Sequence, residues 1–361
     1  MKICLRNIIA LIVFILSPFW IFGQEDTTRM SPFTLSAFAE VFYCYDLNKP
    51  VAPERQNFMY SYNRHNEPAL NLGVIYLAGE GERWRTGLGL MTGTYAVDNL
   101  KKERGIAKYI FESVAGVKLF KDKNIWLDAG VFSSHIGFEY AVSSADNWTL
   151  TRSLMADNSP YYESGAKLTF IHQKWLFSLL ALNGWQSIRR QPLAFGHQLT
   201  YKPDDQTLLN SSSFIGQMEM GASRPLRIFH NAYAQCQLNS KWEMLLGLDA
   251  GAQEKLFQKD YAKWITVVLQ SKYAIHKQVS LAARMEYFHD PDEVVISTTA
   301  SNGFTVVGYS LNADYRMRSW ITWRIEGRAF AGSNNYFIKD GNATDQNLFF
   351  TISCLLGGIN N

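Results

Sequence analysis

Beyond residue 23 the chain lacks any apolar run long enough to form a membrane-spanning helix. Such a helix needs about 18 or more apolar residues, and the longest candidate, residues 175–182, has only the length of a strand. If the protein lies in a membrane, it must therefore do so as a closed β-barrel, because in lipid every backbone polar group must be paired within the protein.

Cysteine and excess charge of one sign are also scarce. Cys44, Cys236 and Cys354 have neither the spacing of a zinc site nor that of a dense disulfide framework, and the histidines are not clustered. No metal or other cofactor is therefore expected. The chain has 35 basic and 32 acidic residues, and this near balance argues against nucleic acid bound through a broad basic surface.

The N-terminus has the features of a cleaved secretory signal. Lys2 and Arg6 precede an apolar stretch over residues 8–22, and Gly23 supplies a small residue at the cleavage site. The alternative is an uncleaved N-terminal anchor helix. The predicted organisation is a signal peptide over 1–23, a short N-terminal segment over 24–32 and a single β-barrel domain over 33–361.

Period-two alternation is abundant in the rest of the chain. In residues 319–331, for example, Trp323 and Ile325 alternate with Arg324 and Glu326, as expected for a strand with lipid on one side and water on the other. Such segments predict strands near 33–45, 67–79, 83–96, 107–119, 125–138, 161–173, 174–187, 194–202, 207–219, 226–238, 241–252, 262–275, 279–289, 304–316, 320–331 and 346–356.

The connections between these segments alternate in length. Every second connection is short, such as residues 203–206, whereas most of the others are longer, such as 46–66 and 139–160. Short periplasmic turns and long extracellular loops are typical of outer-membrane barrels. The predicted fold class is an all-β, transmembrane, antiparallel up-and-down β-barrel of about 16 strands around an aqueous lumen. The alternative is a large soluble β-sandwich.

Tryptophan placement favours the barrel, because the amphipathic indole ring prefers the level of the lipid headgroups. Five tryptophans follow the predicted short turns and form a predicted aromatic girdle: Trp84, Trp126, Trp175, Trp242 and Trp320. A second girdle is predicted near the other strand ends from Trp185, Trp264, Tyr162, Tyr287 and Phe304.

Charged residues on the water-facing side of the strands are the predicted pore lining, because charges in a pore set ion selectivity. They are Arg83, Arg85, Lys108, Glu112, Lys118, Asp128, Glu163, Lys167, Arg284, Glu286, Arg324, Glu326 and Arg328. Cations slightly outnumber anions, which suggests a weak anion preference. The alternative is a solvated inner face or a set of paired struts in the wall.

The connection over 139–160 is the most distinctive loop. One hypothesis is that it folds inward as a constriction, with Glu139, Asp146, Trp148 and Arg152 as its candidate residues. The alternative is an ordinary extracellular loop rich in turn-forming residues.

A hydrolase site near residue 135 is a further alternative. Ser133, Ser134 and His135, with Asp128 or Glu139, have the residue types of a Ser-His-acid triad. Ser134 and His135 are adjacent on a predicted strand and therefore point to opposite faces, which disfavours catalysis.

Residues 125–170 contain a Leu-Asp-Ala-Gly strand, a Gly-Phe-Glu corner, an Asn-Trp-Thr-x-Thr-Arg-Ser loop and a Ser-Pro-Tyr-Tyr-x-Ser-Gly-Ala strand start. With further matches to residue 216, this pattern resembles the OmpL-like β-barrel porin family, found largely in Bacteroidetes. The resemblance implies an outer-membrane barrel with a channel role and brings no catalytic residues. The chain departs from the usual barrel pattern because it does not end on an aromatic residue; Phe349 and Phe350 are the nearest substitutes.

The expected function is a porin-like channel in the outer membrane of a Gram-negative bacterium, passing small hydrophilic solutes or ions by passive diffusion. The expected partners are the lipid bilayer, the solutes and, during biogenesis, the barrel-assembly machinery; homo-oligomers are left open. The alternatives are a closed or loop-plugged barrel acting as a surface binding or structural protein and, less favoured, an outer-membrane hydrolase.

Overall fold

The structure, a computed structural model, describes residues 32–358 except residues 57, 143–146 and 299–302. The predicted signal peptide and nearly all of the predicted segment 24–32 therefore lie outside the described residues. Phe33–Asn361 forms one compact unit. Within the described part of the chain, no helix has both the length and the hydrophobicity to cross a membrane.

The barrel consists of 16 antiparallel strands joined in chain order, and pairing of the first strand with the last closes the ring. The predicted fold class is thus confirmed. The strands are β1 Phe33–Asp46, β2 Pro68–Glu80, β3 Trp84–Thr92, β4 Ile110–Lys118, β5 Ile125–Ser133, β6 Tyr162–His172, β7 Trp175–Asn183, β8 Leu193–Tyr201, β9 Thr207–Gln217, β10 Leu226–Gln237, β11 Trp242–Glu254, β12 Tyr261–His276, β13 Val279–Asp290, β14 Phe304–Arg318, β15 Ile321–Gly332 and β18 Gln346–Gly358.

Short elements occur in the long loops. A two-stranded hairpin follows β15, and helical turns follow β3 and β5. They are the hairpin strands β16 Phe337–Lys339 and β17 Asn342–Thr344, the helices α1 Thr94–Asn99 and α2 Leu154–Asp157, and the 3-10 helix Gly105–Tyr109.

Alternation along each strand separates an apolar outer face from a polar inner face. In β15, Arg324 and Glu326 are each 1% exposed, whereas Trp323 and Ile325 are 44% and 55% exposed. The outer face is the one that contacts the lipid bilayer, because a charge near the bilayer midplane costs about 2–4 kcal/mol on that face.

Two predicted strands are shorter than expected, and this moves two predicted pore residues. Gly93, at φ 115°, ends β3 and begins α1. The 3-10 helix occupies the first residues of the strand predicted over 107–119, so Lys108 lies on this helix and not on the barrel wall. Arg83 is exposed in the turn before β3. Neither residue belongs to a wall strand, so the prediction that they line the pore wall is wrong.

The tryptophan girdle is corrected at one position. Trp84, Trp175, Trp242 and Trp320 are 38–56% exposed next to the short turns. Trp126 instead pairs in register with Lys118, two residues before the buried Asp128, and therefore faces the interior. Its ring lies 4.4 Å from the Arg85 guanidinium, and its Nε1 donates to Asn124 Oδ1 at 2.7 Å.

The predicted second girdle is largely wrong. Tyr162, Trp264 and Phe304 are at most 5% exposed, because the long loops fold into the barrel mouth and give these rings a core to join. Trp185 likewise packs edge-to-face on Phe214 at 4.8 Å. At this end of the molecule, aromatic residues stabilise loop packing inside the barrel.

The cost of a charge on the outer face is expected to depend on its depth in the membrane. Leu246, in the middle of β11, is 52% exposed, and Leu238, in a short turn, is 54% exposed. Leu246→Arg is expected to lower the free energy of unfolding by about 2–4 kcal/mol, and the matched control Leu238→Arg by about 1 kcal/mol or less. Denaturant titration in lipid vesicles measures both values. Equal losses would contradict the placement of the lipid-facing band.

Candidate functional site

One long loop crosses the inside of the barrel. This inner loop, residues 134–161, joins β5 to β6, yet its middle contacts β12–β15. β5 and β13 are eight positions apart in the ring of 16 strands, so these contacts lie on the opposite wall. Every residue from Trp148 to Asp157 is 7% exposed or less. The loop therefore spans the lumen.

The opposite wall accepts hydrogen bonds from the backbone N–H groups of the inner loop. Leu150 N donates to Asn312 Oδ1 at 3.0 Å, and Thr151 N donates to Glu326 Oε2 at 2.5 Å. Leu154 N donates to Glu286 Oε2 at 2.7 Å. Buried backbone groups must be paired, and here wall side chains provide the pairing that a strand ladder provides elsewhere.

The same wall donates to the backbone carbonyls of the loop through three arginines. Arg284 Nη1 donates to Thr151 O at 2.5 Å, and Arg328 Nη1 donates to Arg152 O at 2.8 Å. Arg324 Nη2 donates to Asn147 O at 2.6 Å. We call β12–β15 the anchor wall, because its side chains bind both the N–H groups and the carbonyl groups of the loop backbone.

The charges of the anchor wall also pair with one another and with the loop. Arg284 lies 3.2 Å from Glu326, 3.5 Å from Glu286 and 3.6 Å from Glu139 of the loop. Arg328 Nη2 donates to Glu286 Oε1 at 2.6 Å. Buried ions are costly unless they are paired and hydrogen-bonded, so this network depends on the loop remaining in place.

The far end of the inner loop carries a second buried carboxyl group. Asp157 accepts from Ser61 Oγ at 3.3 Å and lies 3.9 Å from Arg152 Nη1. Burial raises the pKa of Asp157 to about 6, although Arg152 and Arg328 lower it. Arg152 Nη1 also donates to Tyr95 Oη at 2.5 Å, which ties the loop to α1.

The root of the inner loop is held by a histidine. His135 Nδ1 lies 2.8 Å from Glu163 Oε2, and its Nε2 lies 2.9 Å from the Ser213 carbonyl oxygen. Ser134 Oγ donates to Glu163 Oε1 at 3.2 Å and not to the imidazole. The partners of the two ring nitrogens are thus a carboxylate and a backbone carbonyl, not a serine hydroxyl, and the geometry does not form the Ser-His-acid site weighed as an alternative.

Five of the predicted pore-lining residues lie under the inner loop. They face the interior, as the alternation of β13 and β15 predicts, but each is only 1–2% exposed. The loop seals them from the lumen, so the structure does not place them on an open pore surface. They are Arg284, Glu286, Arg324, Glu326 and Arg328.

The remaining predicted residues lie on β4–β6 and the adjoining part of β3. Arg85 donates to both carboxylate oxygens of Asp128, and its side chain remains 38% exposed. Lys167 Nζ lies 4.9 Å from the Phe132 ring centroid, and Glu112 Oε1 accepts from Tyr76 Oη at 2.5 Å. Lys118 is half-buried beside Trp126, and Glu163 binds His135.

Among the predicted constriction residues, Glu139 and Arg152 join the buried network. Trp148 is 7% exposed and packs in a cluster with Leu245. Asp146 lies outside the described residues. In the part of the chain that the structure describes, no group of three or more His, Cys, Asp or Glu side chains could hold a metal ion.

Sequence reasoning missed the uncharged members of the anchor wall. Asn312 accepts from Leu150 N, and Gln270 Nε2 donates to Glu139 Oε1 at 2.8 Å. Both occupy inward positions of alternating strands, which is the one local signal that distinguishes them. A search restricted to charged side chains passes over them.

The chain matches one family model and is similar to solved structures of outer-membrane proteins. The family model described as "Putative beta-barrel porin-2, OmpL-like" matches residues 32–356. OmpT of Vibrio cholerae is similar in structure, with TM-score 0.59, 9% identity and coverage of 92% of this chain and 100% of that one. No curated protein sequence matches the chain.

Two further solved structures are similar. An anion-selective porin from Comamonas acidovorans has TM-score 0.60 and 8% identity, covering 91% of this chain and 100% of that one. OprB of Pseudomonas putida has TM-score 0.58 and 9% identity, covering 90% of this chain and 94% of that one. At these identities the likeness shows the fold alone.

The buried network of the anchor wall predicts that replacing a buried arginine lowers the free energy of unfolding far more than replacing an exposed one. Arg284→Ala leaves Glu139, Glu286 and Glu326 short of a buried cation, and the free energy of unfolding is expected to fall by about 3–5 kcal/mol. The control Arg318→Ala, at the exposed last residue of β14, is expected to change it by about 0.5 kcal/mol or less. Denaturant titration followed by tryptophan fluorescence measures both. A loss at Arg284 no larger than that at Arg318 would contradict the anchoring role.

Proposed function

Because the chain belongs to the OmpL-like β-barrel porin family, we propose that it is a passive channel for small hydrophilic solutes or ions in a Gram-negative outer membrane. The inner loop sets the aperture of this channel, with Glu139, Trp148 and Arg152 among its residues. Ring closure leaves the barrel without an unpaired edge in lipid, and a ring of 16 strands is wide enough to hold an aqueous lumen.

The observation that carries the proposal is the course of the inner loop. A loop that merely covered the mouth would not place Thr151 and Leu154 against β13 and β15, where Glu286 and Glu326 accept their N–H groups. Anchoring at this depth narrows the lumen from within. Fixed charges aimed into a narrowed lumen act on a permeating ion at short range.

Partly exposed charges of both signs favour a channel for hydrophilic solutes in general over a channel for ions of one sign. The Arg85 side chain is 38% exposed beside Asp128, and Lys272 and Glu243 form a 3.7 Å ion pair with side chains that are 28% and 30% exposed. The weak anion preference was expected from the excess of cations in the full set of predicted pore-lining residues, and two of those cations, Arg324 and Arg328, are sealed beneath the loop. Selectivity is therefore proposed to come from the partly exposed set.

A closed barrel is the second candidate, and one observation favours it. Apolar side chains from the loops and strand ends form one buried cluster at the mouth, in which Phe58, Leu150, Phe304 and Phe337 are at most 4% exposed. In such a barrel the long loops would bind partners at the cell surface or have a structural role there.

Conductance of the membrane-extracted protein in planar bilayers separates the two candidates. Wild type is expected to give stable, stepwise conductance. Replacing residues 147–154 with a Gly-Ser linker of equal length is expected to raise the step size about twofold or more, because the lumen of a 16-strand ring would then lack its bridging segment. The matched control replaces residues 256–259, which lie in an exposed loop where Phe257 is 95% exposed.

The outcomes are distinct. Equal conductance in wild type and the 147–154 variant would contradict the role of the inner loop in setting the aperture. Silence from folded wild type with steps from the variant would identify a barrel plugged by this loop. Silence from both would favour the surface-protein candidate.

A further inference from the structure

A polar patch lies on the outer surface of the barrel, where lipid is expected. It consists of His197 on β8, Ser211 and Ser213 on β9, and His230 on β10. Ser213 pairs in register with His197 on one side and with His230 on the other, so these three residues form a row across the strands. We call these four residues the outer patch.

The interior contacts of neighbouring residues establish the outward orientation. Ser212 Oγ donates to the His135 carbonyl oxygen, and Asn231 Nδ2 donates to Asp249 Oδ1, both inside the barrel. Gly196 faces His135 in the same way, since a Cβ there would lie 2.8 Å from His135 Nε2. Successive side chains on a strand point to opposite faces, so the outer patch faces away from the lumen.

The outer patch also lies within the apolar band. His197 is flanked on its strand by Phe195 and Leu199, which are 53% and 37% exposed. Above and below Ser211 and Ser213 are Ile215 and Leu209, which are 45% and 43% exposed. Apolar residues on both sides place the polar groups at the depth of hydrocarbon and not at the headgroups.

The patch does not fully satisfy its own hydrogen-bonding groups. Ser213 Oγ lies 2.5 Å from His197 Nδ1, but Ser211 Oγ is 3.5 Å from His197 Nε2 and 3.4 Å from His230 Nε2. These two distances are at the outer limit of a hydrogen bond. His230 is exposed, and acyl chains offer it no partner. Polar groups in this position are costly in lipid and usually mark a function.

We propose that the outer patch is the interface with a second copy of this chain. A hydroxyl group and a neutral imidazole each both donate and accept hydrogen bonds, so the patch is its own complement. A two-fold axis along the membrane normal would bring the same residues together at the same depth, as a two-fold interface requires.

The surface beside the patch suits close approach. On β10, the outward positions that follow His230 are Ala232 and Ala234, which do not project beyond the patch. In membranes, small residues let protein surfaces approach closely, and polar side chains then bond across the contact. A bulky leucine at these positions would hold the two patches apart.

The opposite side of the barrel offers a different kind of surface. Ala37, Ala39, Gly73 and Gly357 line a shallow outer groove of about 520 Å³ along β1, β2 and β18. β1 and β9 are eight positions apart in the ring. The groove exposes almost no polar surface, so acyl chains can fill it, and it serves as the comparison face.

Site-specific cross-linking tests the proposal in the intact protein in native membranes. The full chain carries Cys236→Ala and Cys354→Ala, which leaves only buried Cys44 among the described cysteines. Ser213→Cys with a short bis-maleimide is expected to give a covalent dimer of twice the mass of the mature chain. Ala39→Cys, on the comparison face, is expected to stay monomeric on the gel. No dimer from Ser213→Cys, or a dimer from Ala39→Cys alone, would overturn the proposal.

A second variant tests whether the polar groups hold the interface. The double variant His197→Leu with His230→Leu keeps the lipid face apolar, so the barrel still folds. The dissociation constant of its dimer is expected to rise about tenfold, because interchain hydrogen bonds are lost. The control is His289→Leu, an outward histidine on β13 that bonds Thr305 at 2.8 Å. Unchanged dimer affinity in the double variant, measured by light scattering in detergent, would overturn the proposal.

Discussion

A loop that crosses the inside of a barrel must find a hydrogen-bond partner for each of its buried backbone groups. In this protein the partners of Leu150, Thr151 and Leu154 are side chains of β13, β14 and β15. Carboxylates and an amide accept the N–H groups, while arginines donate to the carbonyls. The buried charges are in turn neutralised by one another and by Glu139, so wall and loop stabilise each other.

The same constraint organises the two faces of the barrel differently. Outside, hydrocarbon excludes unpaired polar groups, and most strands present leucine, isoleucine and aromatic residues there. Inside, water and the inner loop can satisfy polar groups, so charges accumulate. The outer patch around His197 and His230 departs from the first rule, just as the aromatic cluster around Phe304 at the mouth departs from the second. The proposed second copy of the chain would account for the first exception, and the packed loops account for the second.

The fold could be predicted because its information is local. Alternation is read from neighbours two residues apart, and the lengths of connections distinguish the two ends of the barrel. The errors have identifiable causes. Gly93 ends a strand early, and Trp126 lies two residues before the buried Asp128 on the same strand, so it shares the inward face, where it packs beside Arg85. The anchor wall could be predicted only as inward-facing charge. Its bonds to the inner loop join residues as far apart as Arg324 and Asn147, and no sequence pattern specifies such a pairing.

The central claim is that the inner loop is fixed to the inner wall of the barrel, and hydrogen exchange of its amides tests this most directly. The expected result is that amides of residues 147–154 exchange as slowly as those of β13 and β15, since Leu150, Thr151 and Leu154 donate to buried wall acceptors. The exposed loop at residues 256–259 provides the fast reference. Exchange in 147–154 as fast as in that loop would contradict the account.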